Sequence, residues 1–217
     1  MNDIRKIFDF TTYLEGFKKM ERFVGQVFWR DYPSLAHYES NADHTWRMAM
    51  MLVVLEDRLE QKIDFRKAMK MLLIHDIPEM IAGDPSPLGT DGSGKDSHAY
   101  DQAKTDEKFE KEKAAAQEIF AKLPQNQSKE LLDLWLEFAE QESFESKVVK
   151  AVDKVEAKLQ VFEYTKGVVY KEHSEFNETY GISTYIVDPV IKEFGDILLK
   201  EMQDKYVEFK GPTQKKF

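Results

Sequence analysis

Apolar positions in this chain recur at spacings of three and four almost throughout, and strict alternation, the mark of a half-buried strand, is rare. Ile4, Ile7, Phe8, Phe10, Tyr13, Leu14, Phe17 and Met20 form such a stripe, which predicts a helix over residues 3 to 21. Residues 22 to 39 break the pattern with Gly25 and Pro33 among aromatic and charged residues. Ser40 with Asp43 three positions on has the form of a capping box, so a second helix is expected from there to about residue 60. Its Met, Val and Leu residues fall on most sides, which predicts a place at the centre of the core, with His44 in the first turn. Asp64 is a good N-cap for the next helix. Pro78 lacks a backbone donor and biases Ile77 away from helical geometry. That helix should therefore end near Asp76, with a short one starting at Pro78 and stopping at Gly83.

Residues 84 to 97, D-P-S-P-L-G-T-D-G-S-G-K-D-S, read as a mobile loop. A charged helix is expected over about 98 to 122, and another after Pro124 through L-L-D-L-W-L-E-F. Val148, Val152, Val155, Leu159 and Phe162 then alternate four and three apart, a buried helical seam within 145 to 164. Gly181 precedes a short segment of no definite type, and Asp188 with Pro189 opens a last helix to about 206. The end, from about 207 to 217, reads as a frayed tail. No repeat, low-complexity tract or linker divides the chain, so residues 1 to 217 are expected to form one all-α, multi-helix domain.

Composition supports this picture and narrows the partners. The chain is 42% hydrophobic and 33% charged, with only 10 Gly and 7 Pro in 217 residues, which suits a helical globular protein. A net charge of −9 argues against a nucleic-acid polymer or an anionic membrane as main partner. The lack of Cys removes disulfides, thiolate metal ligands and a cysteine nucleophile, and fits a reducing compartment. No apolar run approaches the length of a bilayer span, and the charged first ten residues lack the apolar stretch of a secretory signal. A cytoplasmic location is the expectation.

One stretch departs from an ordinary helical protein. L-L-I-H-D-I-P-E-M-I-A-G-D-P, residues 72 to 85, sets His75 beside Asp76, Glu79 one turn later and Asp84 just past a glycine, all within an apolar run. Burying four ionisable groups together is costly unless they are paired or hold an ion. His44 alone would read as a surface residue and Asp153 as one carboxylate among 40 acidic residues. Lys147, Lys150, Lys154 and Lys158 share one helical face and read as solvated, with Lys150 singled out because it lies one turn before Asp153. Core packing is expected of Trp46 and a surface ion pair of Arg47.

In order along the chain, His44, His75 with Asp76, and Asp153 resemble the four-ligand set of the HD-domain superfamily of metal-dependent phosphohydrolases. E-S-N-A-D-H at 39 to 44, H-D-I-P-E at 75 to 79, A-G-D-P at 82 to 85 and K-A-V-D-K at 150 to 154 look like its five-prime deoxynucleotidase branch, over about residues 10 to 165. The resemblance implies a compact HD-type helical bundle with one divalent ion (Mn, Co, Mg, Fe, Ni or Zn) on His44, His75, Asp76 and Asp153. Two imidazoles and two carboxylates suit such an ion and leave positions for water and a substrate oxygen. In the resembled branch the residue matching Glu79 activates the attacking water and the one matching Asp84 helps hold the nucleotide.

A pocket with this many carboxylates would repel a phosphate, so basic side chains must reach in. Arg22, Arg30, Arg47 and the lysine run are available. Arg22 is favoured, because it ends the first predicted helix where the resembled branch carries a phosphate-binding arginine. The next position departs from the pattern. Some members have a tryptophan there, associated with excluding a ribose hydroxyl, whereas Phe23 stands here. The expectation is thus a 5′-nucleotidase acting on (deoxy)ribonucleoside monophosphates, a small-molecule substrate, and working as a homodimer. Its rivals are a phosphodiesterase or nucleotide pyrophosphohydrolase of the same superfamily, and a regulatory protein whose metal only stabilises the fold. Apolar residues of the last helix, Ile191, Phe194 and Leu198, suit either a dimer interface or the core.

Overall fold

A computed structural model describes residues 2–23 and 37–210, and Arg30, with the greater part of the 22 to 39 segment, lies outside them. The architecture is all-α. Ten helices are described: α1 Asp3–Tyr13, α2 Glu15–Lys19, α3 Asn41–Leu55, α4 Phe65–Ile74, α5 Glu79–Ala82, α6 Gln102–Phe120, α7 Gln125–Glu140, α8 Phe144–Thr165, α9 Lys171–Thr179 and α10 Pro189–Asp204. Short 3-10 turns cover Glu56–Arg58 and Ile182–Val187. None of the described helices is long and apolar enough to cross a membrane.

The start and stop signals act where the sequence places them. Ser40 accepts from the Asp43 amide while the Asp43 carboxylate accepts from the Ser40 amide, which closes the capping box that starts α3. Asp64 caps α4 through the Lys67 amide, and Asp188 caps α10 through the Val190 amide with Pro189 at its first position. α4 ends at Ile74 with His75 as its C-cap, Pro78 precedes α5, and Gly83 stops α5 at a φ of 80°.

α8 is the spine. Val148, Val149, Val152 and Val155 are all at most 1% exposed and face Met48 and Leu52 of α3, Ala68, Met71 and Leu72 of α4, and Ile191 and Leu198 of α10. Burying each of those valines contributes about 1.5 kcal/mol. This offsets the charged residues that the same helix carries inside. Ile191 and Leu198 are thereby core residues, and Phe194 packs against them. A second core joins Phe10 and Phe17 to Ile74, Ile77, Ile119, Phe120 and Trp135.

Four expectations are corrected. The first predicted helix is two, interrupted at Leu14, so that Phe10 and Phe17 enter the second core from successive segments. Arg22 is therefore not at a helix end. It follows Glu21, which bridges antiparallel to Ser40, and its amide donates to Glu39 O at 2.6 Å. α3 is core on one side alone. Adjacent residues are set about 100° apart, so with His44 inward Trp46 must turn outward, and it is 67% exposed. The chain from 207 is not all tail, because Val207–Glu208 pairs in parallel with Val168–Val169. α9 and the strand Val168–Val169 had no counterpart in the sequence reading.

Candidate metal centre and its cavity

Three helices and one turn bring the candidate residues together. His44 comes from the first turn of α3, His75 and Asp76 from the end of α4, and Asp153 from the middle of α8. One ligand atom each from His44, His75 and Asp153 lies within 4.8 Å of the others. Asp76 completes the group: its Oδ1 is 3.1 Å from His75 Nε2 and its Oδ2 is 3.7 Å from His44 Nε2. His44 Nε2 is also 3.4 Å from Asp153 Oδ1. Pro78 explains the convergence of the HD pair, since ending α4 there frees two adjacent side chains from their helical divergence.

Both rings are oriented from behind. His44 Nδ1 makes a short contact with Glu156 Oε2, and His75 Nδ1 donates to Leu72 O at 2.7 Å. Trp135 fixes the turn by donating its indole N–H to His75 O at 3.0 Å. Both inward Nε2 atoms are buried and have no hydrogen-bond partner among the described residues. Two buried imidazole nitrogens without partners, facing two carboxylates, fit a divalent cation.

The electrostatics agree with that fit. Although burial disfavours their charged forms, His75, Arg22 and His44 hold Asp76 below the usual carboxylate range, and Lys154, Lys150 and His44 do the same for Asp153. Burial and Arg22 work against a proton on His44, but Glu156 and Asp153 outweigh them and push it up to about 9. A cation entering this cluster displaces that proton.

Glu79 opens α5 just beyond the HD pair and is 7% exposed. Asn41 Nδ2 donates to its Oε2 at 2.8 Å, and Lys108 Nζ lies 3.6 Å from its Oε1. Burial first, then the charges of Asp76 and Asp84, push Glu79 well above its ordinary value. Such a carboxyl gains basicity, which suits a proton acceptor. Asp84 is exposed at the cavity mouth.

The cavity encloses about 640 Å³ and is lined by every sequence-predicted site residue except His44. His44 sits behind the wall, wholly buried, and reaches the site through Nε2. Arg22 is held by Asp76 Oδ2 at 3.1 Å and Glu39 Oε2 at 3.3 Å, and its guanidinium lies over the Phe23 ring at 5.5 Å. Burial opposes the Arg22 charge, but Asp76, Asp84, Glu39 and Glu79 together raise its pKa. Lys150 Nζ is 3.3 Å and Lys154 Nζ is 3.2 Å from Asp153 Oδ2.

Here the solvated reading of the lysine run fails. Lys147 is exposed, but Lys154 leans on the Tyr180 ring and Lys158 is 4% exposed. The segment after α8 folds back over that face, so the stripe becomes a cavity wall. Burial and Lys154 push Lys158 down to about 7. Arg47, expected in a surface ion pair, is partly buried against Glu156 at 2.6 Å and Glu163 at 2.6 Å.

Several residues escaped sequence reasoning. Glu156 had a signal, since Asp153 and Glu156 share a helical face at i, i+3. Asn41 stood inside the quoted E-S-N-A-D-H. Lys108, which lies among many charges on α6, had none.

The HD domain family model matches residues 27–194, and the chain belongs to this family. Among characterised relatives, a Xenopus laevis protein named 5′-deoxynucleotidase HDDC2 is 37% identical over 126 residues, 58% of this chain and 55% of its own length. The human protein of that name is 34% identical over 61% of this chain and 58% of its own length. The chain thus spans under two thirds of the length of these relatives. The Saccharomyces cerevisiae 5′-deoxynucleotidase YGK1 is 28% identical over 76% of this chain and 71% of its own. A Magnetospirillum magnetotacticum structure described as a predicted metal-dependent phosphohydrolase shares the fold, with a TM-score of 0.71 at 23% identity over 94% of this chain and 96% of that one.

Proposed function

We propose that this protein is a metal-dependent phosphomonoesterase that hydrolyses nucleoside 5′-monophosphates to nucleoside and phosphate. The observation that carries the reading is the convergence of His44, His75, Asp76 and Asp153, with Glu79 beside them and cationic side chains bordering the same cavity. The activity named for the relatives supports it. His44, His75, Asp76 and Asp153 hold one divalent ion, of the series Mn, Co, Mg, Fe, Ni or Zn. When bound, that ion polarises a phosphate oxygen and makes water more acidic.

The side chains then divide the work. Glu79 accepts a proton from water as the water oxygen attacks phosphorus; the ester P–O bond breaks in line, and the nucleoside 5′-oxygen leaves and is protonated. Arg22 and Lys150 neutralise charge on the phosphoryl group, helped by Lys154. Asn41 fixes one oxygen of Glu79 and leaves the other toward Lys108 and the cavity. Asp84 at the mouth holds the sugar. Phe23 packs beside it, and because phenyl fills less space than indole, ribonucleotides are accepted along with deoxyribonucleotides.

We further propose a cytoplasmic homodimer. Its support is a stripe on α3, Trp46, Met50, Val53 and Val54, which is 44% exposed or more although apolar. Sedimentation of the wild type and of Trp46→Glu tests it, the variant being expected as a monomer. The activity is tested by phosphate release from the common nucleoside monophosphates, with cyclic diesters and polyphosphates as comparison, after loading with each metal. Release confined to monophosphates is expected. No release from any monophosphate by metal-loaded protein would sink the reading.

A further inference from the structure

The cavity continues past the metal centre, along α8, to a second polar end that the proposed chemistry does not use. There α9 contributes Asn177, which is 4% exposed and whose Nδ2 has no hydrogen-bond partner among the described residues. Lys158, equally buried, donates to Tyr180 O at 2.5 Å and keeps at least one further N–H group. The rings of Phe176 and Tyr180 stack beside them, with centroids 4.8 Å apart and planes 24° from parallel. All four residues line the cavity.

Packing alone does not account for this end. A buried donor without a partner costs about 1–3 kcal/mol, and a buried amine costs more, so a purely structural site would favour apolar side chains. The spacing also fits a nucleotide. Lys158 lies five residues beyond Asp153, about 7.5 Å along the helix axis. A substrate anchored at the metal centre by its phosphate therefore reaches this end with the group carried beyond the sugar.

We infer that Asn177 and Lys158 form a base-recognition subsite that donates hydrogen bonds to nucleobase carbonyl oxygens, favouring thymine, uracil and guanine over adenine. The inference rests on the nucleotidase reading above. The orphaned atom of Asn177 is its Nδ2 and the free hydrogens of Lys158 are on Nζ, so both point donors at the cavity. Thymine and uracil present carbonyl oxygens and guanine presents O6 beside N7, whereas adenine presents an amino donor in the matching place. Donor facing donor leaves both unpaired, which is how a polar site rejects a near-isostere. The stacked Phe176 and Tyr180 supply a flat wall beside the base.

The test compares kcat/KM of the full-length, metal-loaded enzyme on dTMP, dUMP, dGMP, dAMP and the base-free 2-deoxyribose 5-phosphate. The wild type is expected to prefer dTMP to dAMP about tenfold. Asn177→Leu and Lys158→Met should each lose roughly tenfold more on dTMP than on the base-free substrate, mainly in KM. Asn177→Asp, nearly isosteric and an acceptor in place of a donor, should shift preference toward dAMP and guards against a folding defect in the larger change. Equal wild-type rates on dTMP and dAMP, or equal losses with and without a base, would overturn the subsite and leave the phosphomonoesterase standing. Absence of phosphate release from every substrate would overturn both.

Discussion

His44 shows how much one residue depends on its neighbours. Its Nε2 is free for a ligand because Glu156 occupies Nδ1, and Arg47 in turn holds Glu156. Removing that support should loosen the ion without emptying the site: Glu156→Gln is expected to weaken metal affinity by about 10–100-fold, read by calorimetry. Glu79→Gln should do the reverse, keeping metal stoichiometry while kcat falls by about 10²–10⁴. An unchanged kcat would reassign the proton acceptor. Lys158 offers a third case. Its pKa, about 7 in the fold against an ordinary 10.5, means the unfolded chain binds the proton more readily. The penalty is fully present below about pH 7 and gone above about 10.5. Lys158→Met should therefore melt higher than wild type at pH 6–7, by about 2–4 °C per kcal/mol recovered, and lose that advantage as pH rises toward 10. Equal melting at all pH values would show that the amine is not desolvated in solution.

At the scale of elements, the site is set by where helices begin and end. The capping box starts α3 so that His44 falls in its first turn, facing inward. Ser40→Ala should cost about 1 kcal/mol and lower the melting temperature by about 2–4 °C, by calorimetry. The break at Pro78 does equal service by separating the proposed metal-binding pair from Glu79. These signals are local: an oxygen three residues from an amide, or a ring without a donor, acts before any tertiary contact. They were legible in the sequence for that reason. α9 was not, because Lys171–Thr179 is mostly polar and only His173, Phe176 and Asn177 are buried. Its stability comes from packing over α8 and against Leu88 of the preceding loop, and no periodicity in its own sequence announces that.

At the scale of the molecule, four distant segments meet at one charge cluster that is held together in part by what it binds. Asp76, Glu79 and Asp153 crowd one space, and a divalent cation relieves their repulsion. Chelation followed by dialysis should lower the melting temperature, and restoring metal at 100 times its dissociation constant should recover about 2.7 kcal/mol. A melting temperature indifferent to chelator would argue against a resident ion. The sequence by itself determined the helical class and the boundaries at Ser40, Asp64, Pro78, Gly83 and Asp188, because caps and breakers act over a few residues, while the candidate set His44, His75, Asp76, Glu79, Asp84 and Asp153 came from the order of its motifs. Tertiary structure alone decided which charges are buried. Lys154 and Lys158 share a stripe with exposed Lys147 and differ from it in being covered by a returning segment, Trp46 faces outward because His44 faces in, and Glu156 supports His44 across a gap of 112 residues. Burial depends on what folds over a face, and a helical stripe carries no record of its cover.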